Sequence, residues 1–560
     1  MYVKNLLCTF ISLYICTHMK ERYKFSFLGI SLRMVSFIIR TFAKVLDNLL
    51  FHLNSDVMEY SSYQLNIFHA IEHGTSNVVV NAVAGSGKTF TIVEACKRLG
   101  LNEKDIQFLA FNKSIATELQ CKLKGYAMVN TSHSFGFSVI KAVNPKVRVD
   151  NMKYNNLIRE SVYTLSNHIT PDTDRSKVYG FCQNVLSILN LCRVNLIQHG
   201  DVESIRKIVD ANNQIVLWDE ISVVNELLEN AYSVDKLSVV DFTDMITLPL
   251  YLCQYIPTPK FVFVDECQDL NTAQRMLMQY ASRNGRFVAV GDRRQAINGF
   301  AGADCESFDK IASLPNTIEL PLSVNYRCGK NMIKLAQDIV PHITAHDDAI
   351  DGIVDTITRI DQNTFRANDM VLCRSTAPLV GMCFKMIQSG ITACVKGRDI
   401  AEQLIAMLSK FRGATAEDLD AYLDRELSKC IAALRKERNC SEDDAKNSGR
   451  YISLNDRCQC LRNIASQTDD VSRVKDIIKE MFNEYNKRNA VVLSTVHKAK
   501  GLEADRVLIL CPDKLPLTWK NQLEWQLEQE LNLKYVALTR AKKELVFVNM
   551  DEKDLAKSVL

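Results

Sequence analysis

From about residue 64 onward, short apolar runs alternate with longer stretches of helical periodicity. Residues 78–80, 106–111, 261–264 and 287–290 are predominantly apolar, bounded by polar or glycine-containing segments. Runs of this length without strict alternation predict strands buried on both faces, and therefore a parallel sheet covered by helices. Residues 369–373, 491–494, 507–510 and 545–548 repeat the arrangement in the C-terminal half. The pattern predicts an α/β chain of two doubly wound sheets facing one another.

Helical patterning interrupts each half. Val178, Phe181, Cys182, Val185, Ile188, Leu189 and Cys192 follow the i, i+3, i+4, i+7 spacing of a buried helix face. Further on, Thr415 and Asp418 form a capping signal for a helix whose stripe is Leu419, Tyr422, Leu423, Cys430, Ile431 and Leu434. The expected organisation is a first α/β domain over 58–141 and 236–320 with a helical insertion at 142–235. A second domain is expected over 321–400 and 489–560, with a short helical insertion at 401–488.

Residues 1–57 differ from the rest. Their apolar run at 6–16 is too short to span a bilayer, and no small-residue cleavage pattern follows it. The segment lacks sustained periodicity and is expected to be dispensable, an upstream start outside the working protein being the simplest account. Lys20, Arg22, Lys24, Arg33 and Arg40, interleaved with apolar residues, make a membrane-surface anchor the functional alternative. A helical extension packed on the first domain is the structural one.

Composition narrows the partners only a little. A net charge of +3 and a pI near 8.0 neither demand nor exclude a polyanion, so any nucleic-acid surface has to be a local groove. The 18 cysteines are scattered, which reads as free thiols in a reducing intracellular compartment. Cys430, Cys440, Cys458 and Cys460 match no familiar zinc spacing, and no structural metal is expected.

Chemistry concentrates in two segments. Residues 78–91, VVVNAVAGSGKTFT, place a glycine-rich loop directly after a strand and before a helix, the context a phosphate-binding loop requires. Ala82 stands where the general pattern has glycine. Ala84, Gly85, Ser86 and Gly87 would bring backbone amides to phosphates, Lys88 would meet the β and γ oxygens, and the Thr89 hydroxyl would hold Mg²⁺. Residues 261–269, FVFVDECQD, end an apolar run in Asp265, a magnesium ligand by position, and Glu266, a general base for the attacking water.

In this order and with their surrounding segments, the motifs resemble the UvrD/Rep-like superfamily 1 helicases over nearly everything from Gln64 to Val548 except the two insertions. The resemblance implies two RecA-like motor domains, ATP and Mg²⁺ as cofactors, and single-stranded and tailed duplex DNA as partners, with no membrane. Gln64 is similar to the adenine-recognising glutamine. AFNKSIATEL, with Phe111 and Asn112, and TSHSFG, with His133, look like DNA-contacting motifs, and VVDFTDM at 239–245 matches the segment before the Asp-Glu motif. In GDRRQAINGFAGA at 291–303, Gln295 resembles the γ-phosphate sensor and Phe300 a base-stacking aromatic. That long segment, together with DECQD, is similar to the branch that walks 3′ to 5′.

LSVNYRC at 322–328 implies Tyr326 stacking on adenine and Arg327 reaching the γ-phosphate. STVHKAKGLEADRV at 494–507 implies His497 near DNA and Glu503 near the ribose, and YVALTRAKK supplies Arg540. Asn298, Ala301 and Asn532 depart from the usual tyrosine, arginine and arginine, the first weakening one stacking contact that the resemblance implies. NLKYVALTRAKK with AFNKSIA is more similar to F-box-type DNA helicases and their viral relatives than to bacterial repair enzymes. Two other readings share these residues: a translocase that displaces proteins without processive unwinding, and an RNA-directed helicase.

Overall fold

The structure is a computed structural model that describes residues 60–558, apart from 168, 174, 212–217, 234–236, 298–305, 439, 467, 469, 484–488 and 520–521. The chain divides into two compact units, residues 1–62 and 63–560, and every described strand belongs to the second. The expectation for residues 1–57 lies outside the described residues, as do Asn298, Phe300 and Ala301.

In chain order the N-terminal half contributes β1 (Asn77–Ala82), β2 (Ile106–Ala110), β3 (Met128–Thr131), the short pair β4 (Arg148–Val149) and β5 (Val239–Val240), then β6 (Phe261–Val264), β7 (Arg286–Gly291) and β8 (Thr317–Leu322). Six of these form a parallel sheet in the order β3-β2-β6-β7-β1-β8. The C-terminal half contributes another short pair, β9 (Val324–Asn325) and β10 (Thr344–Ala345), then β11 (Ile353–Ile357), β12 (Met370–Cys373), β13 (Ala393–Val395), β14 (Val491–Thr495), β15 (Ala504–Leu510) and β16 (Ala541–Val548). The second parallel sheet has the order β11-β16-β15-β12-β14-β13.

The eight strands expected from apolar runs are all present, and each sheet holds two more. The additions are the edge strands β3, β8, β11 and β13. An edge strand is covered on fewer sides and so tolerates polar residues: β8 reads TIELPL and β11 reads IVDTI, both largely exposed.

The first insertion builds its own core from helices Lys153–Leu165, Arg175–Val194, Val202–Ala211 and Trp218–Ala231, and the stripe Phe181, Cys182, Val185, Ile188, Leu189 and Cys192 is buried there. The second insertion does not stand apart. Leu419, Leu423 and Leu427 of helix Ala416–Arg438 and Cys458, Cys460 and Leu461 of helix Gly449–Ala465 share one core with Val371, Leu493 and Val546 of the second sheet. The expected cap is in place: Thr415 Oγ1 accepts the Asp418 N–H at 3.1 Å, and Asp418 Oδ2 accepts the Thr415 N–H at 3.1 Å. A further core joins the two halves, with Val83, Ala84 and Ile297 packed among Met332, Val496, Tyr535 and Leu538. Among the described residues no helix is long and apolar enough to cross a membrane.

Candidate nucleotide site and nucleic-acid face

β6, β7 and β1 are neighbours, so the segments leaving their C-terminal ends meet at one sheet edge. The loop after β1 turns through Gly85 and Gly87, at φ +67° and +78°. At Gly85 an added Cβ would also stand 2.5 Å from Asn325 Nδ2 and 2.8 Å from Arg327 Cβ, so conformation and close approach both require glycine. Tyr326 donates its N–H to Gly85 O at 2.9 Å, and Asn325 Nδ2 donates to Ala84 O at 2.6 Å. Ser86 is buried and donates to Val83 O at 2.8 Å.

Helix Lys88–Arg98 begins where the loop ends, directing its first amides and its dipole toward it. Gln64, buried on helix Ser62–His73, donates from Nε2 to Thr91 Oγ1 at 3.1 Å. Arg286 fixes the far end of Gln64's helix by donating to the carbonyls of Ala70, Ile71 and Ser76 at 2.9, 2.9 and 2.8 Å.

An acidic cluster faces the loop. Thr89 Oγ1 donates to Asp265 Oδ2 at 2.8 Å, and Lys88 Nζ stands 3.2 Å from Glu266 Oε1. Glu266 adopts φ +52°, a conformation that costs a non-glycine residue ~1–3 kcal/mol and that recurs at working sites. Gln268 Nε2 donates to its carboxylate at 2.5 Å. After β7, Asp292 accepts the Arg294 N–H at 3.0 Å and Gln295 Nε2 at 2.9 Å.

Burial pushes the carboxyls of Asp265 and Asp292 up to about 6, helped in the first case by the adjacent Glu266 charge. Burial acts on Glu266 as well, but Lys88 and Lys500 outweigh it and hold that carboxyl down at about 2. One acid of the Asp-Glu pair is therefore firmly ionised, while at the other burial and its neighbour's charge outweigh the Lys88 cation. Thr89 and Asp265 offer hard oxygen donors to a small divalent cation, which takes one or two carboxylates together with ligand oxygens.

The opposite wall comes from the second sheet. Arg327 Nε donates to Glu503 Oε2 at 2.6 Å, and Lys542 Nζ stands 2.6 Å from Glu503 Oε1. Arg540 is buried, and its donors end on neutral oxygens: Val536 O at 2.8 Å, Leu502 O at 3.1 Å and Thr539 Oγ1 at 3.0 Å. Burial and the nearby Arg327 cation hold it down to about 10. The Tyr326 ring is exposed and lies 4.8 Å from the His346 ring. Lys500 crosses the cleft, donating to the Asp269 carboxylate and, at 2.7 Å, to Gln295 O.

The nucleic-acid candidates are less uniform. Phe111 leaves β2 with an exposed ring. Asn112 caps helix Lys113–Lys122, its Oδ1 accepting the Ile115 N–H at 2.9 Å. His133 lies edge-on to Phe242 with centroids 6.4 Å apart, and burial lowers its pKa. Burial, with the Arg374 and Lys498 cations, brings His497 down to about 3, so its ring is neutral. Phe300 lies outside the described residues.

Comparison with known proteins finds the UvrD/REP helicase N-terminal domain over residues 65–315 and the UvrD-like helicase C-terminal domain over residues 400–552. The chain belongs to the UvrD/Rep-like helicase family. ATP-dependent DNA helicase Rep of Buchnera aphidicola subsp. Baizongia pistaciae is 25% identical over 297 residues, which are 48% of this chain and 42% of that protein. F-box DNA helicase protein 1 of Schizosaccharomyces pombe is 23% identical over 513 residues, 83% of this chain and 55% of its own length. ATP-dependent DNA helicase PcrA of Bacillus subtilis is 33% identical over 117 residues, 19% of this chain and 16% of that protein. The chain thus spans about half the length of the first two relatives.

Within this UvrD/Rep-like frame, four residues at the site escape a reading of motifs alone. Asp292 was findable, because it follows the apolar run of β7 as Asp265 follows that of β6. Phe242, 54% exposed beside His133, stands in the quoted VVDFTDM segment, where its flanking acids draw attention first. Lys500 and Tyr535 act across the cleft, and no local pattern marks a residue whose partner lies hundreds of positions away.

Proposed function

We propose that the chain is an ATP-hydrolysing motor that moves 3′ to 5′ along single-stranded DNA and separates duplexes. The observation that carries this reading is the pairing of Lys88 with Glu266 and of Thr89 with Asp265 on one sheet edge, opposite Arg327 and Arg540 from the other sheet. Residues 58–141 and 236–320 would be the first motor domain and 321–400 and 489–560 the second, with 142–235 and 401–488 as their insertions. Adenine would lie by Tyr326 and Gln64, the ribose by Glu503, and the phosphates in the loop of Ala84, Gly85, Ser86 and Gly87.

Lys88 is the group whose partner changes when nucleotide arrives. Phosphate oxygens draw its ammonium from Glu266, and the carboxylate so released, already ionised, is available to take a proton from the attacking water. Thr89 and Asp265 would hold Mg²⁺, which supplies charge neutralisation at the phosphate oxygens. Arg327 and Arg540 stabilise charge on the transferring group once the sheets close, and hydrolysis removes that attraction.

Phe111, Asn112, His133, His497 and Phe300 would line the strand. Base stacking of ~1–3 kcal/mol per base is indifferent to sequence, which suits a motor that reads none. The direction rests on the likeness of DECQD and the long 291–303 segment to the 3′ to 5′ branch.

The test uses the full-length chain on DNA and RNA duplexes carrying 3′ or 5′ single-stranded tails, with ATP hydrolysis followed in parallel and Lys88→Ala as control. Hydrolysis stimulated by single-stranded DNA, with opening from a 3′ tail alone, is expected. Efficient opening from a 5′ tail overturns the direction, and stimulation by RNA but not DNA overturns the substrate. Displacement of a bound protein without duplex opening replaces unwinding by translocation.

A further inference from the structure

Helix Glu524–Leu538 lies along the segment that follows β7 and touches it at three points on one face. Glu528 pairs with Arg294 Nη1 at 2.8 Å, Asn532 Nδ2 donates to Ala296 O at 3.1 Å, and Tyr535 reaches Asp292. Positions 528, 532 and 535 follow the i, i+4, i+7 spacing of one helical stripe. The same helix ends just before Arg540.

Tyr535 is the innermost of the three, with no exposed surface. Its hydroxyl accepts the Ala84 N–H at 2.8 Å and donates toward Asp292 Oδ2 at 3.4 Å. The same Oδ2 accepts Gln295 Nε2 at 2.9 Å. A phenol at full burial is costly unless hydrogen-bonded, and a phenylalanine would fill nearly the same volume without that cost. Burial and the Asp292 charge push the phenol pKa well up, so the hydroxyl keeps its proton and remains a donor.

We infer that Tyr535 is a positioning residue for ATP hydrolysis: its hydroxyl ties the phosphate-loop amide of Ala84 to the Asp292 carboxylate and, through that carboxylate, aims the Gln295 side chain. The inference rests on the motor reading above and deepens it. It follows that Tyr535, in the last turn of this helix, and Arg540, just beyond it with its Nε bonded back to Val536 O at 2.8 Å, move together, so that closure of the second sheet sets the sensor and delivers the arginine in one step.

The experiment compares steady-state ATP hydrolysis, in the presence of single-stranded DNA, by the full-length chain and by Tyr535→Phe, Gln295→Ala, Asp292→Asn and the double variant Tyr535→Phe/Gln295→Ala. Tyr535→Phe should lower kcat ~10-fold with KM for ATP within about twofold, since the contact orients a group and does not hold the nucleotide. In the Gln295→Ala background the same substitution should change kcat by less than about twofold, because the route through Gln295 is already cut. A purely structural tyrosine would instead give losses that multiply.

Thermal midpoints accompany the kinetics. Should Tyr535→Phe fail to fold, Asp292→Asn breaks the same link from the other side, and it must show the same kcat loss and the same silence with Gln295→Ala. An unchanged kcat, a loss confined to KM, or losses that multiply overturns the inference. A parent chain that hydrolyses no ATP overturns the motor reading as well, whereas a working parent matched by Tyr535→Phe overturns only the role of the hydroxyl.

Discussion

Among the described residues, Arg193 is the most buried cation outside the candidate nucleotide site, and replacing it by methionine tests how the first insertion is held. Its guanidinium donates to Asp241 at 2.8 and 2.6 Å and to Asp244 at 2.6 Å, and it stacks 3.8 Å from the Tyr154 ring centroid. Neither Arg193 nor Asp244 has exposed surface. Methionine keeps most of the volume but leaves two buried carboxylates short of a cation. Breaking a buried pair on one side costs ~3–5 kcal/mol. Lys153 Nζ remains 2.6 Å from Asp244 Oδ2, which places the expected loss near the lower end, about 3 kcal/mol.

The loss should depend on pH with a definite sign. Burial pushes the Asp241 carboxyl up, but Arg193 outweighs it and holds it below the ordinary range, so in the parent this group stabilises the fold above the unfolded-state pKa and loses its contribution in acid. In Arg193→Met the carboxyl is raised instead, and the folded state then binds more protons than the unfolded one. The gap between parent and variant therefore narrows as pH falls toward the carboxylate range. Urea unfolding followed by circular dichroism at roughly pH 7.5 and roughly pH 5 measures both quantities. A variant within ~1 kcal/mol of the parent at both, or a gap that widens in acid, would refute the reasoning.

Three further outcomes follow from the site. Lys88→Ala should weaken ATP binding at least ~10-fold, whereas Glu266→Gln should still bind ATP but lose ~10²–10⁴-fold in turnover; titration of nucleotide binding beside steady-state hydrolysis separates them, and near-parental turnover by Glu266→Gln would remove its role as base. Gly85→Ala should lower the thermal midpoint by the equivalent of ~1–2 kcal/mol and raise KM for ATP, since its backbone is left-handed and its Cβ would meet Asn325; a parental midpoint and KM would contradict this. Phe242→Ala should weaken single-stranded DNA binding by ~1–3 kcal/mol irrespective of base sequence, read by anisotropy of labelled oligo-dT, and unchanged affinity would take the ring out of the strand's path.

How far the site could be read without coordinates depends on where each constraint originates. β2 and β6, buried at every position, announce themselves because no residue on them faces water. β8 and β11 do not, because half-exposed edges carry Glu, Pro, Asp and Thr as loops do. The glycines of the phosphate loop are legible since their local dihedrals require them. Helix Glu524–Leu538 hides for the opposite reason: Glu530 and Asn532 are buried alongside Leu533, Tyr535 and Val536, so no polar face marks it as amphipathic. Arg540 was legible as the cation of YVALTRAKK only through resemblance, and its neutral hydrogen-bond partners could not be inferred from spacing.

The charge balance at the cleft depends on both sheets. Asp265, Glu266, Asp269 and Asp292 crowd one edge of the first sheet, and all but the partly covered Glu266 are buried. That sheet supplies Lys88 to answer them, and a second cation, Lys500, comes from the second sheet. Lys500 pairs with Asp269 and, after Lys88, also acts to lower the pKa of Glu266 and of Asp292, so part of the positive charge that keeps the proposed base ionised comes from the second sheet. Coulomb attraction falls only as the inverse of distance, and in a partly buried cleft it is several-fold stronger than in water. Beside this long-range term, Glu528, Asn532 and Tyr535 hold their helix directly against the segment that follows β7.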